Sequence, residues 1–73
     1  MIANEQLASD VSRRIIEINR LLNELATIVV SQAPSDEERL FRQAIGAVSG
    51  ELLLSIANPL YRQHPTLKPP ELD

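Results

Sequence analysis

The sequence predicts an all-α protein: an antiparallel two-helix hairpin that dimerises into a four-helix bundle and ends in an extended proline-rich tail. The 73 residues are 44% hydrophobic but include one Phe, one Tyr and no Trp, so the apolar content is aliphatic, as in helix packing. Two segments with helical spacing of apolar residues flank a proline. Without cysteine, no disulfide supplements this small core, and oligomerisation is the common alternative. We expect a single domain over residues 1–73.

The first helix is predicted over residues 4–32, where apolar residues recur with spacings that alternate between three and four. This seam consists of Ala8, Val11, Ile15, Ile18, Leu22, Leu25 and Val29. Leu7, Leu21 and Ile28 widen it on one side, so the apolar face is broader than a two-stranded coiled coil requires and fits a bundle core. Charges of alternating sign occupy the opposite face: Arg13, Glu17, Arg20 and Glu24.

A turn is predicted at residues 33–35, because Pro34 cannot continue the first helix. Ser35 followed by Glu38 predicts a capping box for a second helix over residues 36–58, and an extra turn to residue 62 is compatible with the pattern. A connection this short makes the two helices antiparallel neighbours. Residues 63–73 hold most of the remaining prolines and are predicted to form the extended tail.

The two glycines, Gly46 and Gly50, lie inside the second helix, where each costs about 1 kcal/mol relative to alanine. Spaced one turn apart, they form a flat groove that allows close approach of another backbone. We predict a self-association face that consists of Gly46, Gly50, Leu53, Ala57 and Leu60. The alternatives are that the glycines relieve crowding inside one hairpin or mark a kink. The predicted bundle core consists of Val11, Ile15, Ile18, Leu22, Leu25, Val29, Phe41, Ile45, Val48, Leu52 and Ile56.

The net charge of −3 and the isoelectric point near 5.0 oppose binding to nucleic acid or to anionic lipid. The first ten residues carry two acids and no base, unlike a secretory signal or transit peptide. Charges interrupt every apolar stretch before it reaches the length of a membrane span. We therefore expect a cytoplasmic protein without a membrane segment.

No catalytic, cofactor or metal site is predicted, because phosphate-binding loops, zinc-protease motifs and nucleophile elbows are all missing from the sequence. A lone histidine, His64, follows the second helix; it can interact with terminal carbonyl groups, and a metal or catalytic role is the minor alternative. Glu51 is read as part of a solvent-facing polar stripe. Its alternative is an ion pair with Arg14, whose side chain could equally extend to solvent or pair with Asp10.

The first helix carries three arginines, Arg13, Arg14 and Arg20. In this feature the predicted hairpin resembles, in outline only, the small hairpin dimers of the ROP type that bind RNA. Interleaved acidic residues and the lack of nearby aromatic side chains for base stacking make nucleic-acid binding an alternative rather than the leading hypothesis.

The C-terminal segment supports two interpretations. Leu60, Tyr61 and Leu67 can fold back to cap the open end of the bundle. Alternatively, the segment can dock a partner, since proline-rich peptides bind with little ordering entropy, or form a disordered end. The docking residues would be Tyr61, Arg62, His64 and Lys68.

The leading functional hypothesis is a non-enzymatic helical interaction module, a small dimeric adaptor, regulator or chaperone-like subunit. The alternatives are a ROP-like nucleic-acid-binding regulator and a subunit of a hetero-oligomeric complex, in which the glycine face meets a different protein.

Overall fold

The computed structural model describes residues 1–69, and all regular structure within them is helical. Two long helices form an antiparallel hairpin, and a short helix and a turn follow. The elements in order are α1 (Glu5–Gln32), α2 (Ser35–Leu52), a π turn (Leu53–Ala57), α3 (Asn58–Gln63) and a 3-10 turn (Pro65–Leu67). The all-α hairpin is therefore as predicted.

Helix α1 begins at a side-chain cap and ends before a proline. The Asn4 side chain caps the start, where its Oδ1 accepts from the Leu7 backbone N–H at 2.9 Å. Ala33 has extended backbone angles (φ −93°, ψ 153°) because the Pro34 ring excludes helical geometry in the residue before it. The connection to α2 is accordingly only two residues long.

The predicted capping box at the start of α2 is wrong. Ser35 is the first helical residue, and Pro34 occupies the cap position without a side-chain hydrogen bond. The backbone N–H of Glu38 donates to the Pro34 carbonyl at 2.9 Å, and the Glu38 carboxylate pairs with Arg42 one turn later. Pro34 is suited to the position because its own N–H would have no helical partner there.

The second helical stretch does not end at residue 58 but continues to Gln63, one residue beyond the extra turn to residue 62 that the sequence left open. Proline lacks an N–H and its ring crowds the carbonyl one turn earlier, which normally stops or kinks a helix. Here the five residues Leu53–Ala57 widen into the π turn, and the Asn58 N–H donates to the Leu53 carbonyl five residues back. The wider turn accommodates the ring, so α3 follows directly.

The hydrophobic core is confined to the end of the hairpin opposite the turn between α1 and α2. Its buried apolar residues are Ala8, Ile15, Ala57, Leu60 and Tyr61. Leu60 is the largest side chain with no exposed surface. Val11, Leu52, Leu53 and Leu67 pack against this cluster while partly exposed. Nothing between positions 16 and 56 is buried to the same degree.

Three hydrogen bonds join the first twelve residues to the segment from Tyr61 to His64 over this core. The Ser12 and Tyr61 hydroxyls lie 2.6 Å apart in a buried contact between α1 and α3. The Met1 amino group donates to Gln63 Oε1 at 2.7 Å. His64 Nε2 lies 2.6 Å from the Ile2 carbonyl oxygen and must donate, because a carbonyl only accepts. The N-terminal segment is thereby held against α3.

Candidate interaction surface

The structure divides the five residues predicted to form the self-association face. Ala57 and Leu60 have no exposed surface and belong to the core within the chain. Leu53 is half-buried and packs against that core. Gly46 is exposed and Gly50 half-buried, and a Cβ added at either would meet no atom within 4 Å. The glycines therefore do not relieve crowding between α1 and α2, and only they and part of Leu53 remain open to a partner.

The π turn is the physical reason for this division. A regular helix advances about 100° per residue, which would align Ala57 and Leu60 with the two glycines. One extra residue in the π turn rotates everything after it back by about the same angle. Ala57, Leu60, Tyr61 and His64 then all face α1, in agreement with their burial. Sequence projection as a straight helix could not detect this change of phase.

The four tail residues predicted to dock a partner also separate into two groups. Tyr61 is 5% exposed and bonded to Ser12, and His64 is half-buried and bonded to the Ile2 carbonyl. Both side chains therefore contact other parts of the same chain, and neither is open to a partner along its whole length. Arg62 and Lys68 are exposed, and together with Asn58 they border a shallow depression beside Tyr61.

The tail is less extended than predicted over its described part. Pro65–Leu67 forms a 3-10 turn, closed by a hydrogen bond from the Lys68 N–H to the Pro65 carbonyl at 3.3 Å. Leu67 is thereby brought against the core cluster. Residues 70–73 of the predicted tail lie outside the described residues.

The largest open apolar feature of α1 is a row of four side chains, here called the open stripe. They share one side of the helix and are between 45% and 53% exposed: Ile18, Leu21, Leu25 and Ile28. The side of α1 that contacts α2 is a neighbouring one, which includes Ile15, Leu22 and Val29. The broad apolar face of α1 is thus half used within the chain.

Helix α2 continues this apolar surface. Of its predicted core residues, Phe41, Ile45 and Leu52 are half-buried against α1, whereas Val48 is 54% exposed. Because α1 and α2 run antiparallel, projection at about 100° per residue places Val48 on the same side of the hairpin as Ile18 and Leu25. The glycines lie on the other side. The hairpin therefore presents one broad apolar side and one side with the glycine groove.

Ion pairs border the open stripe on α1. Asp10 pairs with both Arg13 and Arg14, and its carboxylate lies 3.2 Å from the Arg14 guanidinium. Hydrogen bonds from Arg13 and then from Arg14 lower the pKa of Asp10 below its ordinary value of 3.8. All these side chains are solvent-exposed, so the pairs order the surface more than they stabilise the fold.

A second set of ion pairs lies one to four turns further along. Arg20 bridges Glu17 and Glu24, and its distance to the Glu24 carboxylate is 2.7 Å. The hydrogen bond from Arg20 lowers the pKa of Glu17, and the same bond raises the pKa of Arg20. The three arginines that resemble the basic residues of the ROP type, Arg13, Arg14 and Arg20, thus all have carboxylate partners within α1.

Glu51 is exposed on α2, and its carboxylate accepts a hydrogen bond from the Ser55 hydroxyl one turn later. Arg14 pairs with Asp10 instead, so the predicted alternative of a Glu51–Arg14 ion pair is not formed. Within residues 1–69, no three carboxylate or imidazole side chains lie close enough to hold a metal ion.

The helical stretch Ser35–Gln63 is longer and more apolar than the sequence prediction of no membrane-length segment implies. It is 29 residues long, and an 18-residue window within it has a mean hydropathy of 1.3, which is apolar enough to cross a membrane by length and composition. Only 6% of that window is buried in the hairpin. Glu51 interrupts the segment, but a single carboxylate among 18 residues leaves its mean hydropathy high. A single such helix is a weak indication, since core helices of soluble proteins pass the same test.

Comparison with known proteins adds no relative: no family model, curated protein or solved structure matches this chain.

Proposed function

We propose that this chain is a non-enzymatic helical interaction module that acts as a homodimer. Two hairpins pack with their broad apolar sides facing each other and form an antiparallel four-helix bundle. The exposed members of the predicted core, Ile18, Leu25, Val48 and Ile56, become buried in the assembly. The dimer then offers its outer surface to other proteins as an adaptor, regulator or chaperone-like subunit.

The observation that carries the proposal is the missing core in the half of the hairpin next to the turn. No residue from 16 to 56 is buried, and the broad apolar side formed by the open stripe and Val48 is between 45% and 54% exposed. Soluble monomers rarely expose contiguous apolar patches of this kind without a binding role. A second copy supplies the apolar surface that these side chains lack.

The solvent-accessible surface of the chain exceeds that of a compact monomer by about the area that a second copy would bury. A compact monomer of 8.1 kDa exposes about 4,500 Å², whereas this chain exposes 5224 Å². The excess of roughly 700 Å² is close to the area of about 800 Å² that each partner buries in a standard interface. The radius of gyration, 14.3 Å, likewise exceeds the value of about 11 Å for a compact domain of this length.

The proposal is tested by sedimentation equilibrium over a wide concentration range, together with circular dichroism. We compare the wild type with Leu25→Lys in the open stripe and with Asn23→Lys, which adds the same charge to another side of α1. Leu25→Lys is expected to dissociate the dimer and Asn23→Lys to leave it intact. A helical monomer with a cooperative thermal transition would refute the proposal.

Other occupants of the apolar side are distinguished by the same samples. A poorly helical monomer that stays so at all concentrations would indicate a heteromeric subunit. A chain that gains helicity only on addition of phospholipid vesicles would indicate a membrane surface or span, although Glu51 near the centre of the apolar helix makes burial in lipid costly. Gly50→Leu adds a third comparison: dissociation by this variant, and not by Leu25→Lys, would move the dimer interface to the glycine side.

A further inference from the structure

We propose that, in the dimer, helix α1 lies antiparallel to the α1 helix of the second copy, about a twofold axis at position 23, and that Arg14 binds the C-terminal turn of the partner's α1. This inference rests on the proposed function and specifies the register of the same interface. Arg14 is thereby a residue that determines the orientation of the dimer.

The register follows from the position of the open stripe. An interface between identical copies about a twofold axis is self-complementary, so the axis passes through the middle of the contact surface. The stripe extends from Ile18 to Ile28, and its midpoint is position 23. An antiparallel helix then places Ile18 opposite the partner's Ile28 and Leu21 opposite the partner's Leu25. All four apolar side chains find apolar neighbours.

The charges on α1 select this orientation. The last turn of α1 holds no basic residue, so the negative end of its helix dipole has no cation from its own helix. Arg14 and Gln32, the last helical residue, are both nine positions from the axis, so the antiparallel register places the guanidinium beside this end. Arg14 lies on the same side of α1 as the stripe, and its side chain is 71% exposed.

The parallel orientation has the opposite electrostatics. It places Arg14 beside the partner's Arg14 at the border of an apolar contact, and Asp10 beside the partner's Asp10. Like charges held together at an interface disfavour the complex. It also leaves both C-terminal turns without a cation. Only the antiparallel dimer therefore gives both the apolar side chains apolar neighbours and Arg14 an oppositely charged neighbour.

Disulfide mapping tests the register, since the chain contains no cysteine of its own. Ile18→Cys and Ile28→Cys are prepared separately, and sedimentation verifies that each remains dimeric. In the antiparallel register, each cysteine lies about 15 Å along the helix from its own copy, so neither variant alone forms a disulfide. An equimolar mixture is expected to form the mixed disulfide. Efficient cross-linking of Ile18→Cys with itself would overturn the inference in favour of parallel helices.

Two charge reversals test the role of Arg14. Arg13 and Arg14 both pair with Asp10. Arg14→Glu and Arg13→Glu therefore each remove one ion pair of Asp10, and they change the net charge equally. Only Arg14 lies beside the partner's helix end. We expect Arg14→Glu to raise the Kd of the dimer about tenfold, through two symmetric contacts, and Arg13→Glu to change it less than threefold. Equal effects of the two variants would overturn the assignment of Arg14.

Failure of this inference is distinguishable from failure of the proposed function. A monomeric wild type overturns both. A stable dimer that Leu25→Lys dissociates, but in which Ile18→Cys cross-links with itself, retains the proposed function and overturns only the antiparallel register.

Discussion

The buried hydrogen bond between Ser12 and Tyr61 joins the first half of α1 to α3. The residues are 49 positions apart, both are at most 5% exposed, and their hydroxyl oxygens are separated by 2.6 Å. Tyr61→Phe keeps the ring and removes one hydroxyl, so the remaining Ser12 hydroxyl stays buried without that partner. The cost of an unsatisfied buried hydroxyl is about 1–3 kcal/mol in the free energy of unfolding.

That cost is large for a chain of this length. At the usual stability per residue, the whole free energy of unfolding is roughly 4–11 kcal/mol. A loss of about 2 kcal/mol lowers the Tm of a domain this small by roughly 10 °C. The effect is therefore well above the error of thermal or urea denaturation followed by circular dichroism.

A double-mutant cycle measures the bond itself. Ser12→Ala, Tyr61→Phe and the double variant are unfolded at one fixed protein concentration, because association also shifts the apparent stability. We expect the double variant to be at least about 1 kcal/mol more stable than the sum of the single effects predicts. The control is Ser55→Ala, an exposed hydroxyl, with an expected change within about 0.5 kcal/mol. Additive effects of Ser12→Ala and Tyr61→Phe would refute the reasoning.

Three further results are expected. Leu60→Ala removes a fully buried side chain and lowers the free energy of unfolding by about 2–5 kcal/mol. The same change at Leu54, which is 69% exposed, lowers it by less than about 1 kcal/mol. Urea denaturation measures both values. Deletion of Ser55 from the π turn lowers the Tm less than insertion of one alanine after Ser55. The deletion restores a regular helix in which α3 still faces α1, whereas the insertion rotates α3 away from α1. NMR titration gives Asp10 a pKa below 3.8, and Arg13→Ala raises it; the stabilisation from this pair is complete above the pKa of the unfolded chain and is lost as pH falls through the lowered pKa.

Several features followed from the sequence alone because they depend on local chemistry. Apolar residues at spacings of three and four predicted α1, and Pro34 placed the turn within one residue of its position. Leu21 and Ile28, which widened the predicted apolar face of α1, are exposed in the hairpin as part of the open stripe. That surplus of apolar surface was readable from residue spacing, and it is the basis of the proposed dimer.

Sequence spacing could not show which of two neighbouring apolar sides of α1 contacts α2. Helical periodicity defines a face to within a few tens of degrees, and both sides satisfy it. Packing brought Ser12 and Ile15 into the core and left Ile18 and Leu25 half open. The position of Arg14 on the apolar side of α1 was visible in the sequence, but which part of that side stays open required the observed packing against α2.

The tertiary structure also decided the direction of the final helical turns. Pro59 predicted an end of the helix at residue 58 or after one extra turn. The chain continues as a helix because the π turn makes room for the proline ring, and the same turn directs Ala57, Leu60 and Tyr61 toward α1. Burial of these side chains together with Ser12 compensates for the distorted hydrogen bonding of a wide turn. The sequence alone therefore determined where the helices form, since that depends on residues a few positions apart. Tertiary packing determined the phase of the last turns, since that depends on side chains about 50 residues apart.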